Sequence, residues 1–132
     1  MFIVNKDGSI HVTRGDIGTF EVGIQVVSDP EMPEETTEYV FNSGDVVRIN
    51  VHERNHPERV VLSKDIVVVN STTSVEISLE REDTKIGDLI SKPVTYWYEV
   101  ELNPDTAPQT FIGYDTNGPK LFILYPEGAD KV

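Results

Sequence analysis

The chain reads as an all-β protein built as one antiparallel sandwich or barrel. Three observations predict this. Short runs of strict period-two alternation recur along its 132 residues. Turn residues interrupt these runs roughly every eight to twelve positions. No segment sustains the 3.6-residue period of an amphipathic helix.

Taken in order, Ile3 and Val4 open a first short strand, closed by the turn Asn5-Lys6-Asp7-Gly8. Ile10 and Val12 alternate with His11 and Thr13 up to the Gly15 turn. Phe20, Val22, Ile24 and Val26 then share one face, with Glu21, Gly23 and Gln25 on the other, which predicts a single half-buried strand running to Val26 or Val27. The stretch Ser28 to Glu35 holds Pro30 and Pro33 among acids and reads as an exposed hairpin tip. Tyr39 and Phe41 mark the returning strand, and Ser43-Gly44-Asp45 turns the chain into a strand from Val46 to Val51.

His52 to Arg59 reads as a polar break containing Pro57, after which Val60–Leu62 and Ile66–Val69 form two β-branched runs. Val75, Ile77 and Leu79 alternate with Glu76, Ser78 and Glu80, and Arg81 to Gly87 has room for one helical turn. The longest clean alternation is Val94, Tyr96, Tyr98, Val100 and Leu102, with Thr95, Trp97, Glu99 and Glu101 opposite. Phe111 and Ile112 belong to a further strand, Leu121 to Tyr125 form the last, and the tail from about Pro126 is expected to fray. Residues 1–132 thus make one domain, large enough to bury roughly two-thirds of its unfolded surface.

A formal charge of -12, from 23 acidic and 11 basic residues, argues against nucleic acid, which needs clustered Lys and Arg. It equally disfavours an anionic membrane surface. The acids concentrate between Asp29 and Glu38, giving either a solvated surface or a docking face for a basic partner. The absence of cysteine removes thiolate chemistry and disulfides. Met1-Phe2-Ile3-Val4 is too short an apolar run for a secretory signal, so synthesis and folding in a cytoplasm are expected.

His52-Glu53-Arg54-Asn55-His56 matches the zinc-peptidase motif by letter. That chemistry needs both histidines one turn apart on a helix, whereas the flanking residues have strand periodicity and Pro57 disfavours the α region at His56. Arg14-Gly15-Asp16 is an integrin-binding tripeptide by letter, but a turn requiring positive φ accounts for its glycine. Asn70-Ser71-Thr72 is a glycosylation sequon only in a secreted protein. Asp29, Glu31, Glu34 and Glu35 lack the spacing of a dedicated calcium loop. No catalytic residue, metal ligand or cofactor site is therefore assigned. Trp97 and Tyr39 are the candidate contact residues, with Trp97 either facing outward or packed beneath a loop. Arg14, Gly15, Asp16, Gly44 and Asp45 are the candidate fold determinants.

Four segments carry a resemblance: Arg14 to Glu21, Ser43 to Arg48, Ile77 to Thr84, and Tyr96 to Leu102. In this order the chain resembles the N-terminal domain of upper baseplate proteins of phages that infect Gram-positive bacteria, and related small virion proteins. The resemblance implies a single immunoglobulin-like β-sandwich without enzymatic activity. It also implies contacts with other phage structural proteins of tail, baseplate or capsid, self-association, and location in the virion after synthesis in the bacterial host. Baseplate proteins of this kind continue into receptor-binding segments. A chain ending at Val132 is expected to act instead as a stand-alone adaptor or a decoration protein. A carbohydrate-binding module that stacks sugars on Trp97 is the alternative.

Overall fold

A computed structural model describes residues 1–27 and 29–127. Ser28, expected in the hairpin tip, and residues 128–132 of the expected frayed tail lie outside the described residues. The chain is all-β, with 52% of it in strands and 3% in helix.

The principal sheet runs β1 (Phe2–Val4), β2 (Ile10–Thr13), β11 (Lys120–Tyr125), β9 (Val94–Leu102), β6 (Val46–Glu53) and β7 (His56–Val67), with β10 (Gln109–Ile112) also on β9. Two smaller ladders complete the fold: β3 (Gly18–Val22) with β8 (Val75–Leu79), and β4 (Gln25–Val27) with β5 (Thr36–Glu38). One helical turn, α1 (Arg81–Thr84), follows β8 where a single turn was expected. Glu80 and Asp83 close it with a capping box.

Alternation explains the central strands. Val47, Ile49 and Val51 of β6 and Tyr98, Val100 and Leu102 of β9 are buried, and their intervening polar neighbours face outward. Phe122 and Leu124 of β11 and Ile10 and Val12 of β2 extend the same buried face. Val22, Val75, Ile77 and Leu79, from β3 and β8, join the same hydrophobic cluster. Each such side chain contributes roughly 1.5–3 kcal/mol by leaving water.

Four expectations are corrected. The sheet is not wholly antiparallel: β11 runs parallel to β2, with Phe122 opposite Ile10 and Leu124 opposite Val12. The strand expected from Phe20 to Val26 is two strands in separate ladders, β3 and β4, and Val26 is 41% exposed. The returning strand is Thr36–Glu38, before Tyr39, while Phe41 makes only an isolated bridge to Thr72. The polar break at His52–Arg59 is a tight hairpin, and the two β-branched runs beyond it belong largely to one twelve-residue strand, β7. Asn55 reverses the chain in the left-handed region (φ 59°), which asparagine tolerates. Pro57 is accommodated because β7 is an edge strand.

Strands β10 and β11 lie end to end along one side of β9, opposite Val100–Leu102 and Val94–Tyr98 respectively. Residues 113–119 are an excursion between two halves of one edge.

Candidate functional site

The sheet face turned away from the core carries a group of aromatic and charged residues, most of them half-buried and His52 buried. Its rows follow from register. Leu121, Trp97 and His52 lie side by side across β11, β9 and β6, and Ile123 and Thr95 form the next row. Trp97 is half-buried, because the excursion 113–119 brings Tyr114 against it with ring centroids 5.8 Å apart at 60°. On its other side His52 meets it edge-on at 6.4 Å. Tyr114 itself is 73% exposed, so the ring presented to solvent is the tyrosine. Both alternatives for Trp97 hold in part: it faces outward and lies beside a loop. Tyr114 escaped the sequence reading because Gly113-Tyr114-Asp115 sits in no periodic run.

Next to these rings, Glu99 is held above the usual carboxylate range, first by burial and then by Glu101, with His52 opposing. Arg48 grips Asp65 through two bonds of 2.6 and 2.9 Å and reaches Asp105 at 3.1 Å. These pairings raise the guanidinium's pKa and lower that of Asp65. Asn50 Nδ2 donates to Glu101 at 2.9 Å. The charged half of the face is therefore largely self-satisfied.

Tyr39 is half-buried and engaged within the chain. Its hydroxyl donates to Asp45 at 3.0 Å, and its ring packs edge-on against Phe41 at 5.1 Å. The same carboxylate accepts the backbone N–H of Asn42 at 2.8 Å, while Gly44 (φ 95°) turns the chain beneath it. The Asn42 bond, with those from Asn103 and Tyr39, holds Asp45 below its ordinary pKa against a desolvation that opposes them.

Arg14, Gly15 and Asp16 bind the far end of the β3–β8 ladder. Arg14 donates to Gly87 O and Glu127 at 2.6 Å each and to Ile86 O at 3.3 Å. Gly15 takes φ 87°, and its N–H donates to the buried Thr84 hydroxyl at 3.0 Å; that hydroxyl donates in turn to Asp16 O at 2.7 Å. The Asp16 carboxylate pairs with the Met1 amine. The tripeptide is spent on the fold.

The zinc-like motif falls on two strands. Glu53 and His56 face each other across the β6–β7 hairpin, and His52 donates Nδ1–H to the Glu53 carbonyl at 2.9 Å. Among the described residues, no three His, Asp or Glu side chains gather as a metal site. A serine, a histidine and an aspartate do meet at the β1–β2 turn. Ser9 Oγ donates to Asp7 at 2.7 Å, His11 Nε2 lies 3.3 Å from that oxygen, and Tyr125 OH is 2.9 Å from His11 Nδ1. The carboxylate accepts the serine's hydrogen bond instead of orienting the imidazole, unlike the arrangement of a nucleophilic triad. This cluster caps a turn.

No family model matches the chain, and no curated protein or solved structure matches it.

Proposed function

We propose that the chain is a non-enzymatic structural and assembly protein of a bacteriophage virion, an immunoglobulin-like β-sandwich that binds other phage proteins in tail or baseplate. One observation carries the reading: the four segments behind the resemblance meet in pairs. Arg14–Glu21 joins Ile77–Thr84 through the register of Phe20 with Ile77 and through the Gly15–Thr84 bond. Ser43–Arg48 joins Tyr96–Leu102 through Arg48 opposite Glu101. Their common task is building the core, as expected of a module whose identity lies in its scaffold. The order β11–β9–β6–β7 and the β3–β8 pair support this reading, because an immunoglobulin-type sandwich orders its strands G–F–C–C′ and pairs B with E.

Particles purified from a phage or prophage lysate, separated on a density gradient and analysed by mass spectrometry, are expected to contain the chain in fixed ratio to a tail or capsid protein. Its absence from intact particles rejects the proposal.

The exposed Tyr114 ring beside Trp97 favours a second reading, binding of a bacterial surface glycan by stacking. Tyr114→Ala, at an exposed position, then abolishes retention on cell-wall polysaccharide while leaving stability intact. Equal retention of both proteins rejects it.

A further inference from the structure

We propose that the β4–β5 arm of one copy docks into the Arg14–Arg81–Lys85 concavity of the next, joining chains head to tail. The inference goes beyond the virion reading and holds for whatever assembly contains the chain.

The arm is a two-stranded ladder of three residue pairs, and every residue of both strands is exposed. Such a hairpin is marginal in water without a surface to cover it. It displays Val26, Val27 and Met32 at 40–44% exposure. Asp29, Glu31, Glu34, Glu35 and Glu38 lie between Gln25 and Tyr39, with no Lys or Arg among them. Its tip is pre-shaped: Met32 N–H donates to Asp29 O at 2.9 Å and Glu35 N–H to Met32 O at 3.0 Å, with Pro30 and Pro33 limiting the backbone. Pre-shaping lowers the entropic cost of docking.

The complementary surface is on the same chain. Arg14, Arg81 and Lys85 line an open concavity of about 390 Å³ with Asp16 and Glu127. Arg14 is committed to Glu127 and Asp16 to the Met1 amine. Arg81 and Lys85 are exposed and enter no ion pair among the described residues. In a chain with 11 basic residues against 23 acidic ones, this is a local inversion of charge.

The two surfaces sit at opposite ends of the β3–β8 ladder. The concavity adjoins the end where Gly18 faces Leu79, and the arm leaves beyond the end where Val22 faces Val75. A strand of five residues separates them by roughly 15 Å. An arm docked in a neighbour's concavity joins two different patches, and such a contact generates a ring or a filament. At physiological salt the net repulsion between copies is screened beyond about 8 Å, while short contacts persist.

The test is sedimentation-velocity and light-scattering analysis of the purified chain from micromolar to millimolar concentration, with two variants that each reverse one pair of charges. One is Glu34→Lys with Glu35→Lys; the other is Arg81→Glu with Lys85→Glu. All four positions are exposed, so folding is expected to survive, and circular dichroism checks it. Wild type associates with increasing concentration, and each variant alone weakens association by about tenfold or more. Mixing the two variants restores it, because the lysines introduced at 34 and 35 then face the glutamates introduced at 81 and 85, while the other arm and concavity keep their original charges. A wild type that stays monomeric, variants that associate like wild type, or a mixture no better than its components overturns the proposal. A monomeric chain that is still incorporated into particles would reject this contact and leave the virion reading standing.

Discussion

Glu21 stands directly opposite Glu76 across the β3–β8 ladder, and both residues are exposed. Like charges at directly opposed positions destabilise an antiparallel pair. Glu21→Lys replaces repulsion with attraction and is expected to raise unfolding stability by roughly 0.5–1 kcal/mol. Urea denaturation decides it: a midpoint unchanged or lowered relative to wild type refutes the expectation.

Thr84 is fully buried, and its hydroxyl serves the Gly15 N–H and the Asp16 carbonyl together. Thr84→Val keeps the volume and strands both partners, which costs roughly 2–4 kcal/mol. Thr84→Ser retains the hydroxyl and is expected to lose much less. Equal losses in the two variants would show that the methyl group's packing matters and the bonds do not.

Asp45 has a lowered pKa in the folded chain, led by its bond from Asn42. Its stabilising contribution is therefore complete above the unfolded carboxylate range, near pH 4, and is lost as pH falls through the depressed folded value. Asp45→Asn is expected to reduce stability at neutral pH by roughly 1–2 kcal/mol, since the site is partly exposed, and to flatten the acid limb. Parallel pH–stability curves for the two proteins contradict this.

Tyr98 donates its hydroxyl to the Gly8 carbonyl from within the core, and burial pushes it up to about 12, with Asp7 adding to the effect. The unfolded phenol ionises near 10, so the unfolded state loses its proton first and stability declines as pH rises through this window. Absorbance titration near 295 nm is expected to show a late-ionising tyrosine that disappears in Tyr98→Phe. Retention of that phase in the variant assigns it elsewhere.

The strands β6, β8 and β9 were legible because each buries one face and exposes the other, which period two encodes directly. The break between β3 and β4 was not. Alternation continues through Gly23 and Ile24, and period two says which residues share a face without saying which ladder they join. At Gly23 the Thr73 carbonyl lies 3.1 Å from where a Cβ would stand, a close approach visible only in three dimensions. The β6–β7 hairpin was hidden by Pro57 and by charges, which an edge strand tolerates. The parallel β2–β11 pair joins residues from opposite ends of the chain and leaves no local trace. For the candidate site, the alternation in β9 placed Trp97 on the outward face. Tyr114 and the ordering of Arg81 and Lys85 beside Arg14 depended on loops folding back, which carry no period. The bond from Tyr39 to Asp45 was not legible, because Asp45 was read only as part of a turn.

The excursion 113–119 leaves and rejoins a single edge that β9 pins on both sides. Neither half of that edge must shift if the excursion changes length, and doubling a flexible loop costs only about 0.6 kcal/mol in closure entropy. Tyr114 therefore sits on a replaceable cassette. What this face displays can be changed by insertion, while the register that holds the domain together stays as it is.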